Sequence, residues 1–142
     1  MNNSASEPIE TKFAPKPVGP YSQAVVVENW LYCSGQIALD PETSEMVGNG
    51  NIEDETRQVL KNLMSVVEAA GGENSNVIRT TIYLTDLNDF AKVNQIYGEI
   101  FKNKISPARA CVEVSSLPKG GKIEIDCIAW LGNKSKDNIV TK

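Results

Sequence analysis

Residues 106–130 of the chain, SPARACVEVSSLPKGGKIEIDCIAW, contain two runs in which apolar and polar residues alternate, separated by one proline and two glycines. Alternation with a period of two is typical of a β-strand, because successive side chains of a strand point to opposite faces of the sheet. The stretch therefore predicts strands at 108–115 and 122–130, joined by a turn over SLPKGG.

Each of these strands has an apolar face and a polar face. The apolar face of the first strand, which we assign to the core, contains Ala110, Val112 and Val114, and its polar face contains Arg109, Cys111 and Glu113. The apolar face of the second strand contains Ile123, Ile125, Cys127 and Ala129, and its polar face contains Glu124 and Asp126. If the two strands pair, Arg109 and Glu124 lie near each other.

Two interpretations of Arg109 and Glu124 follow. On spacing alone they form a partly exposed ion pair on a sheet, worth at most about 1 kcal/mol. Alternatively, the sheet face without helices lines a cleft, where the guanidinium binds a substrate carboxylate and the glutamate orients water or accepts a proton. Only the glutamate can be the base, since arginine stays protonated at neutral pH.

The rest of the chain predicts a hairpin followed by alternating helices and strands. The predicted elements, in order, are strands 21–28 and 30–37, helix 52–70, strand 76–86, helix 87–101 and strands 108–115 and 122–130. Asn29 marks the hairpin turn, Asn51 caps the first helix and Gly71 ends it, and Thr85 or Asp86 caps the second. The order β-β-α-β-α-β-β predicts an α+β fold with a single mixed sheet backed by two helices.

A chain of 142 residues has the length of one typical domain. We predict a single domain, with an ordered core over about 13–131 and mobile ends at 1–12 and 133–142, because both ends are polar and aperiodic. No apolar run approaches the roughly 18 residues of a membrane helix. The amino terminus lacks signal and transit features, and the odd number of cysteines fits a reducing compartment, so the sequence predicts a cytoplasmic location.

Charge and residue types narrow the function classes. The net charge is −4 and the isoelectric point is near 4.9, which argues against a nucleic-acid partner because such proteins present a concentrated basic face. The chain has no histidine and no close cysteine cluster, the usual ligands of zinc, copper and non-haem iron. We predict neither a metal nor another cofactor.

Several other residues have a structural and a functional interpretation. Cys111 is a nucleophile, a small residue that lines a pocket or a buried hydrophobic residue, and the absence of histidine argues against the nucleophile. Asn94 lies beside the apolar stripe of the second helix, where it is either a structural hydrogen-bonding residue or part of a cleft. Tyr21 is core or rim, and Ser34-Gly35 is a ligand-side turn or a simple strand end.

The motifs GPYSQA, CSGQIALD, AAGG, TTIYLTDLNDFAKVNQIY and PARACVEVSSLPKGGKIEID together resemble the RidA/YjgF family of reactive-intermediate (imine/enamine) deaminases. The similarity extends from about residue 13 to residue 130. The resemblance implies a chorismate-mutase-like fold and a homotrimer with ligand clefts at the subunit interfaces. It also implies a small imino or keto acid as the ligand.

The resemblance further implies roles for individual residues. Arg109 matches the family's carboxylate-binding arginine, and Glu124 matches the acidic residue associated with the catalytic water. The positions that line or support the cleft are Tyr21, Ser34, Gly35, Asn94 and Cys111. The implied reaction is hydrolysis of 2-imino acids or enamines such as 2-aminoacrylate to 2-keto acids and ammonia. The alternatives are RNA cleavage with inhibition of translation, and a noncatalytic carboxylate-binding or chaperone-like protein.

Overall fold

A six-stranded mixed sheet is the framework of the fold in the computed structural model, which describes residues 6–132. Its strands are β1 Glu7–Ile9, β2 Ala24–Val27, β3 Trp30–Gln36, β4 Val77–Leu84, β5 Ala108–Glu113 and β6 Ile123–Trp130. They lie in the order β1-β2-β3-β6-β4-β5, and every neighbouring pair is antiparallel except β4 and β5. Two helices, α1 Ile52–Ala69 and α2 Phe90–Ile100, cover one face, which confirms the predicted α+β fold with one mixed sheet and two helices.

Local signals set the helix ends as the sequence predicts. The side chain of Asn51 accepts a hydrogen bond of 2.9 Å from the backbone N–H of Asp54, which satisfies one of the unpaired donors at the start of α1. Gly71 follows the last turn with a φ of 89°, a conformation that glycine adopts without steric cost. Asp86 caps a short 3₁₀ turn, so the predicted helix at 87–101 begins with that turn before it becomes α-helical.

The predicted contact between the last two strands is wrong. β5 pairs in parallel with β4, where Arg109 lies opposite Thr80, and β6 pairs with the other edge of β4, where Cys127 lies opposite Thr80. β4 therefore separates β5 from β6. The reason is that α2 connects β4 to β5, and a helical crossover of this kind places two parallel strands side by side.

The hydrophobic core lies between the helices and the face of the sheet that they cover, and β5 meets this core with the face opposite to the predicted one. Thr80 and Ile82 of β4 are fully buried, and their partners on β5 are Arg109 and Cys111. Cys111 consequently packs against the core, whereas Val112 is 43% exposed. The core face predicted from the sequence is therefore wrong for Ala110, Val112 and Val114. Register with β4 decides which face of an edge strand is covered.

The amino-terminal end differs from the predicted mobile segment over 1–12. Glu7–Ile9 forms β1 and pairs antiparallel with β2. Without β1, strand β2 would lie at the edge of the sheet with unpaired backbone N–H and C=O groups. Residues 1–5 and 133–142, also predicted to be mobile, lie outside the described residues. Between residues 6 and 132, no helix combines the length and the apolar composition needed to cross a membrane.

Candidate functional site

The residues predicted to form the site divide into two clusters. The arginine cluster lies on the face of the sheet that the helices cover and contains Arg109, Asn94 and Cys111. The glutamate pocket lies on the opposite, open face and contains Glu124, Tyr21 and Gly35, with Ser34 beside it.

Strand register places the two clusters on opposite faces of the sheet. Arg109 lies opposite Thr80 on β4, and Glu124 lies opposite Tyr83 on the same strand. Because side chains alternate along a strand, Thr80 and Tyr83 point to opposite faces, and so do their partners. β4 also separates the strands that carry Arg109 and Glu124. A single copy of the chain therefore does not bring these two side chains together.

Three side chains of α2 hold the guanidinium of Arg109. One of its nitrogens donates a hydrogen bond of 2.7 Å to the side-chain oxygen of Asn94. The guanidinium carbon lies 4.9 Å from the ring centre of Tyr97 and 5.5 Å from that of Phe90, both within the range of cation–π attraction. No carboxylate among residues 6–132 forms an ion pair with Arg109. The arginine is thus oriented without its charge being neutralised.

Phe90 and Tyr97 contact Arg109, although the sequence interpretation did not include either ring among the candidate site residues. Their spacing around Asn94 is the signal that was available, because residues three and four apart lie on one face of a helix. The hydroxyl of Tyr97 shares a hydrogen bond of 2.7 Å with that of Thr80. Burial raises the pKa of Tyr97, so its ring stays neutral beside the arginine.

The thiol of Cys111 does not have the environment of a nucleophile. Burial raises its pKa, and the nearby charge of Arg109 opposes this effect only in part. A thiol with a raised pKa is protonated at neutral pH, whereas the reactive species is the thiolate. The structure therefore favours the interpretation of Cys111 as a wall of the cluster. Across residues 6–132, three or more potential metal ligands (Cys, Asp or Glu) nowhere converge into a metal site.

The carboxylate of Glu124 lines a pocket of about 60 Å³. Residues 15–21, a loop that precedes β2, form one wall, and Gly35 of β3 and Pro118 also contribute. A water molecule occupies roughly 30 Å³ in the liquid. The pocket is consequently large enough to hold water next to the carboxylate.

Gly35 makes room for this carboxylate. A side chain at position 35 would begin with a Cβ that overlaps Glu124, only 2.7 Å from its Cδ. Contacts this short do not occur between real atoms of this kind. The SerGly pair of β3, which the sequence left open between a ligand-side turn and a strand end, thus has a steric role on the glutamate side.

The environment of Glu124 raises its pKa, first through burial and then through the negative charge of Asp126. Tyr83 lies opposite Glu124, and its hydroxyl donates a hydrogen bond of 3.3 Å to Asp126. A carboxylate with a raised pKa is a better base near neutral pH. Because the pKa of Glu124 is raised in the folded protein, its ionisation destabilises the folded state at a pH above this pKa. At a pH below the pKa of the same group in the unfolded chain, Glu124 is protonated in both states and this destabilisation is absent. Such costs are common at functional sites.

Tyr21 and Ser34 shape the loop beside Glu124. The ring of Tyr21 lines the pocket while remaining 49% exposed, and its hydroxyl oxygen accepts a hydrogen bond of 3.2 Å from the N–H of Val18. The hydroxyl of Ser34 donates to the carbonyl of Ser22 at 2.6 Å. Ser34 therefore supports the loop, and Tyr21 presents an aromatic surface at the mouth of the pocket.

Comparison with known proteins places these residues in a family context. The family model described as Endoribonuclease L-PSP matches residues 11–131. A RutC family protein of Synechocystis is 52% identical over 123 residues, covering 87% of this chain and 95% of that protein. Human 2-iminobutanoate/2-iminopropanoate deaminase is 45% identical over 132 residues, covering 93% of this chain and 95% of the human protein. A crystal structure of a Rid family protein from Yersinia pestis, 49% identical, superposes with a TM-score of 0.86 and covers 89% and 99% of the two chains.

Proposed function

Because the chain belongs to the Endoribonuclease L-PSP family, also named RidA/YjgF, we propose that it hydrolyses reactive 2-imino acids and their enamine tautomers to 2-keto acids and ammonia. The observation that carries the proposal is the oriented guanidinium of Arg109, which has no carboxylate partner within residues 6–132. Arginine binds a carboxylate through two parallel hydrogen bonds, and a 2-imino acid carries a carboxylate next to its reactive carbon. The name of the human relative supports the same reaction.

In the proposed mechanism, Arg109 binds the substrate carboxylate and Glu124 activates water. Water adds to the carbon of the protonated imine while Glu124 accepts one of its protons. The resulting carbinolamine receives this proton back from Glu124 on its nitrogen and expels ammonia, while its hydroxyl proton passes to the departing ammonia and the 2-keto acid remains. The overall reaction consumes one iminium and one water and gives one keto acid and one ammonium. General base catalysis of this kind typically contributes 10²- to 10⁴-fold.

We propose that the two clusters meet between subunits of a homotrimer. Two features of the chain support this arrangement. Arg109 and Glu124 lie on opposite faces of one sheet, so a common site requires a second copy. The open face also exposes large apolar side chains, Tyr32 at 49%, Val112 at 43% and Trp130 at 37%, which a neighbouring subunit would cover. A head-to-tail contact that closes after three copies makes three identical sites.

RNA cleavage is the activity that the family description names, but the chain offers little support for it. The net charge is −4, and the sequence has no histidine to act as an acid or a base. Electrostatic attraction to the phosphate backbone supplies most of the affinity in nonspecific RNA binding. Cys33, Cys111 and Cys127 are free thiols, which supports a location in a reducing compartment such as the cytoplasm.

The proposed function is tested with a panel of imines generated in place from amino acids. We expect ammonia release in the presence of the protein to exceed the spontaneous rate for at least one 2-imino acid. An imine that lacks the carboxylate is the matched control substrate and is expected to hydrolyse at the spontaneous rate. Tight binding of a keto acid without any acceleration would indicate a noncatalytic carboxylate-binding protein and would contradict the proposal.

Replacing Cys111 with alanine is expected to leave most of the activity, within about threefold of the original protein, because the thiol acts only as a wall. The measurement is kcat for ammonia release. Cys127→Ala, on the buried face of β6, is a comparison for the cost of losing a thiol from the core. Complete loss of activity in a folded Cys111→Ala protein would restore the nucleophile interpretation.

A further inference from the structure

A buried glutamine just before β2 connects the amino-terminal segment to the glutamate pocket. Gln23 is 3% exposed, and every hydrogen bond of its side chain reaches back to residues 11–15. Its oxygen accepts from the N–H of Thr11 at 2.7 Å. Its amide nitrogen lies within hydrogen-bonding distance of the carbonyls of Thr11 at 3.1 Å, Ala14 at 3.2 Å and Pro15 at 2.8 Å.

Apart from the burial of Ala14 in the hydrophobic core, the segment that Gln23 binds has few other means of fixing its position. Residues 11–22 contain no strand or helix. Pro15, Pro17 and Pro20 have no backbone N–H and cannot pair as a strand would. Buried backbone carbonyls require hydrogen-bond partners, and the amide of Gln23 supplies them where no strand does. One side chain thus replaces the ladder of hydrogen bonds that would otherwise hold this part of the chain.

The same segment continues directly into the wall of the glutamate pocket. Residues 15–18 and Tyr21 line it, and Gln23 itself contributes to its surface. The far end of the loop is fixed by Ser34, whose hydroxyl binds the carbonyl of Ser22 at 2.6 Å and whose N–H binds the carbonyl of Gln23 at 3.0 Å. Gln23 and Ser34 therefore hold the two ends of the loop that covers Glu124.

We propose that Gln23 is a positioning residue for catalysis: its amide holds residues 11–15 so that the loop over 15–21 stays closed against Glu124 and confines the water molecule that this carboxylate activates. The inference rests on the proposed function, since it assigns a means of control to the same pocket. It adds a residue that contacts neither the arginine cluster nor the carboxylate of the substrate.

Opening of the loop has a definite electrostatic consequence. The charged and titratable groups around Glu124 are Asp126 on its own strand, Tyr83 on β4, and Lys16 and Tyr21 in the loop. Burial is the largest cause of its raised pKa, so exposure to water lowers the pKa toward its ordinary value. The acidic limb of the activity profile therefore moves to lower pH when the loop opens.

The test uses Gln23→Met, which preserves the length of the side chain and removes its hydrogen bonds. We expect kcat for imine hydrolysis to fall at least about tenfold, because small displacements of catalytic groups are costly. The Kd of pyruvate, whose carboxylate Arg109 binds in the proposed site, is expected to change less than about twofold, because Gln23 does not contact Arg109. Gln95→Met is the control for the same substitution, since this glutamine is exposed on α2 and lines no part of the glutamate pocket. We expect its kcat to be unchanged.

Amide hydrogen exchange tests the same proposal without reference to activity. Residues 12–21 are expected to exchange faster in Gln23→Met while the strands keep their protection. If Gln23→Met does not fold, Ser34→Ala releases the other end of the loop and is expected to show the same pattern more weakly. Unchanged exchange over 12–21, or unchanged kcat in an active protein, would overturn the role of Gln23. A wild-type protein that hydrolyses no imine would overturn the proposed function instead, and the exchange measurement would still decide whether Gln23 holds the loop.

Discussion

Replacing Glu124 with glutamine is expected to lower kcat for imine hydrolysis by about 10²- to 10⁴-fold, the usual contribution of a positioned general base. Glutamine has nearly the same shape but cannot accept a proton from water. The pocket beside Gly35 therefore stays intact while its chemistry is removed. The measurement is the rate of ammonia release at saturating 2-imino acid, with the spontaneous rate subtracted.

The pH profile gives the same prediction a second readout. Glu124 acts as a base only when it is deprotonated, so activity falls as the pH decreases through its pKa. Burial and then Asp126 raise that pKa above its ordinary value of 4.5, so the acidic limb lies above pH 4.5. The limb is expected to be absent from the residual activity of Glu124→Gln. Retention of both the rate and the limb in this variant would assign the base to another residue.

Glu113→Gln is the matched control for Glu124→Gln. Glu113 is an exposed carboxylate on β5 that accepts a hydrogen bond of 2.9 Å from the N–H of Leu87. The side-chain oxygen of glutamine can accept the same bond. We therefore expect this control to keep the activity and the acidic limb of the original protein.

The elements of the fold were predictable because their signals are local. Asn51 caps α1 with a bond to a residue three positions away, and Gly71 ends the helix through its own backbone conformation. The hairpin turn at Asn29 is equally local, and the structure adds only that Glu28 has a φ of 55°. Such features depend on a few neighbouring residues, all of which the sequence displays.

Strand pairing was not predictable from the same residues. The strands at 108–115 and 122–130 are consecutive and joined by a turn-like segment, which favours a hairpin. The pairing of β4 with both of them involves residues far apart in sequence, such as Thr80 with Cys127. Alternation defines two faces for each strand but does not state which face the helices cover, and this is why the core face of β5 was inverted.

The chemical identities in the candidate site were visible in the sequence, whereas its arrangement was not. Arg109 and Glu124 stood out as an arginine and a carboxylate on polar strand faces, and they would be neighbours only if their two strands paired. The structure places them on opposite faces with β4 between them. A site that contains both side chains therefore depends on the contact between two chains, which the sequence of one chain does not display.

Replacing Arg109 with alanine is expected to lower kcat/KM by about 10²-fold or more. Each charge-assisted hydrogen bond is worth roughly 1.5 to 3 kcal/mol, and a substrate carboxylate receives two of them. Arg109→Lys restores the charge but not the planar fork, so it is expected to recover only part of the loss. Arg57→Ala is the control, because Arg57 forms an exposed ion pair with Glu99 on the outer surface. Wild-type kcat/KM in Arg109→Ala would refute the carboxylate anchor.

Mixing the two inactive variants tests whether each site is made from two chains. In a closed ring, every site takes Arg109 from one subunit and Glu124 from the next. Random assembly of equal amounts of Arg109→Ala and Glu124→Gln subunits then gives both original residues to about one site in four. Refolding the two proteins together is thus expected to restore about a quarter of the original activity, whereas each variant refolded alone stays inactive. If hybrid oligomers form, as measured by native mass spectrometry, and no activity returns, then the site does not combine Arg109 and Glu124 across a subunit interface, and the opposite faces of the sheet must have separate roles.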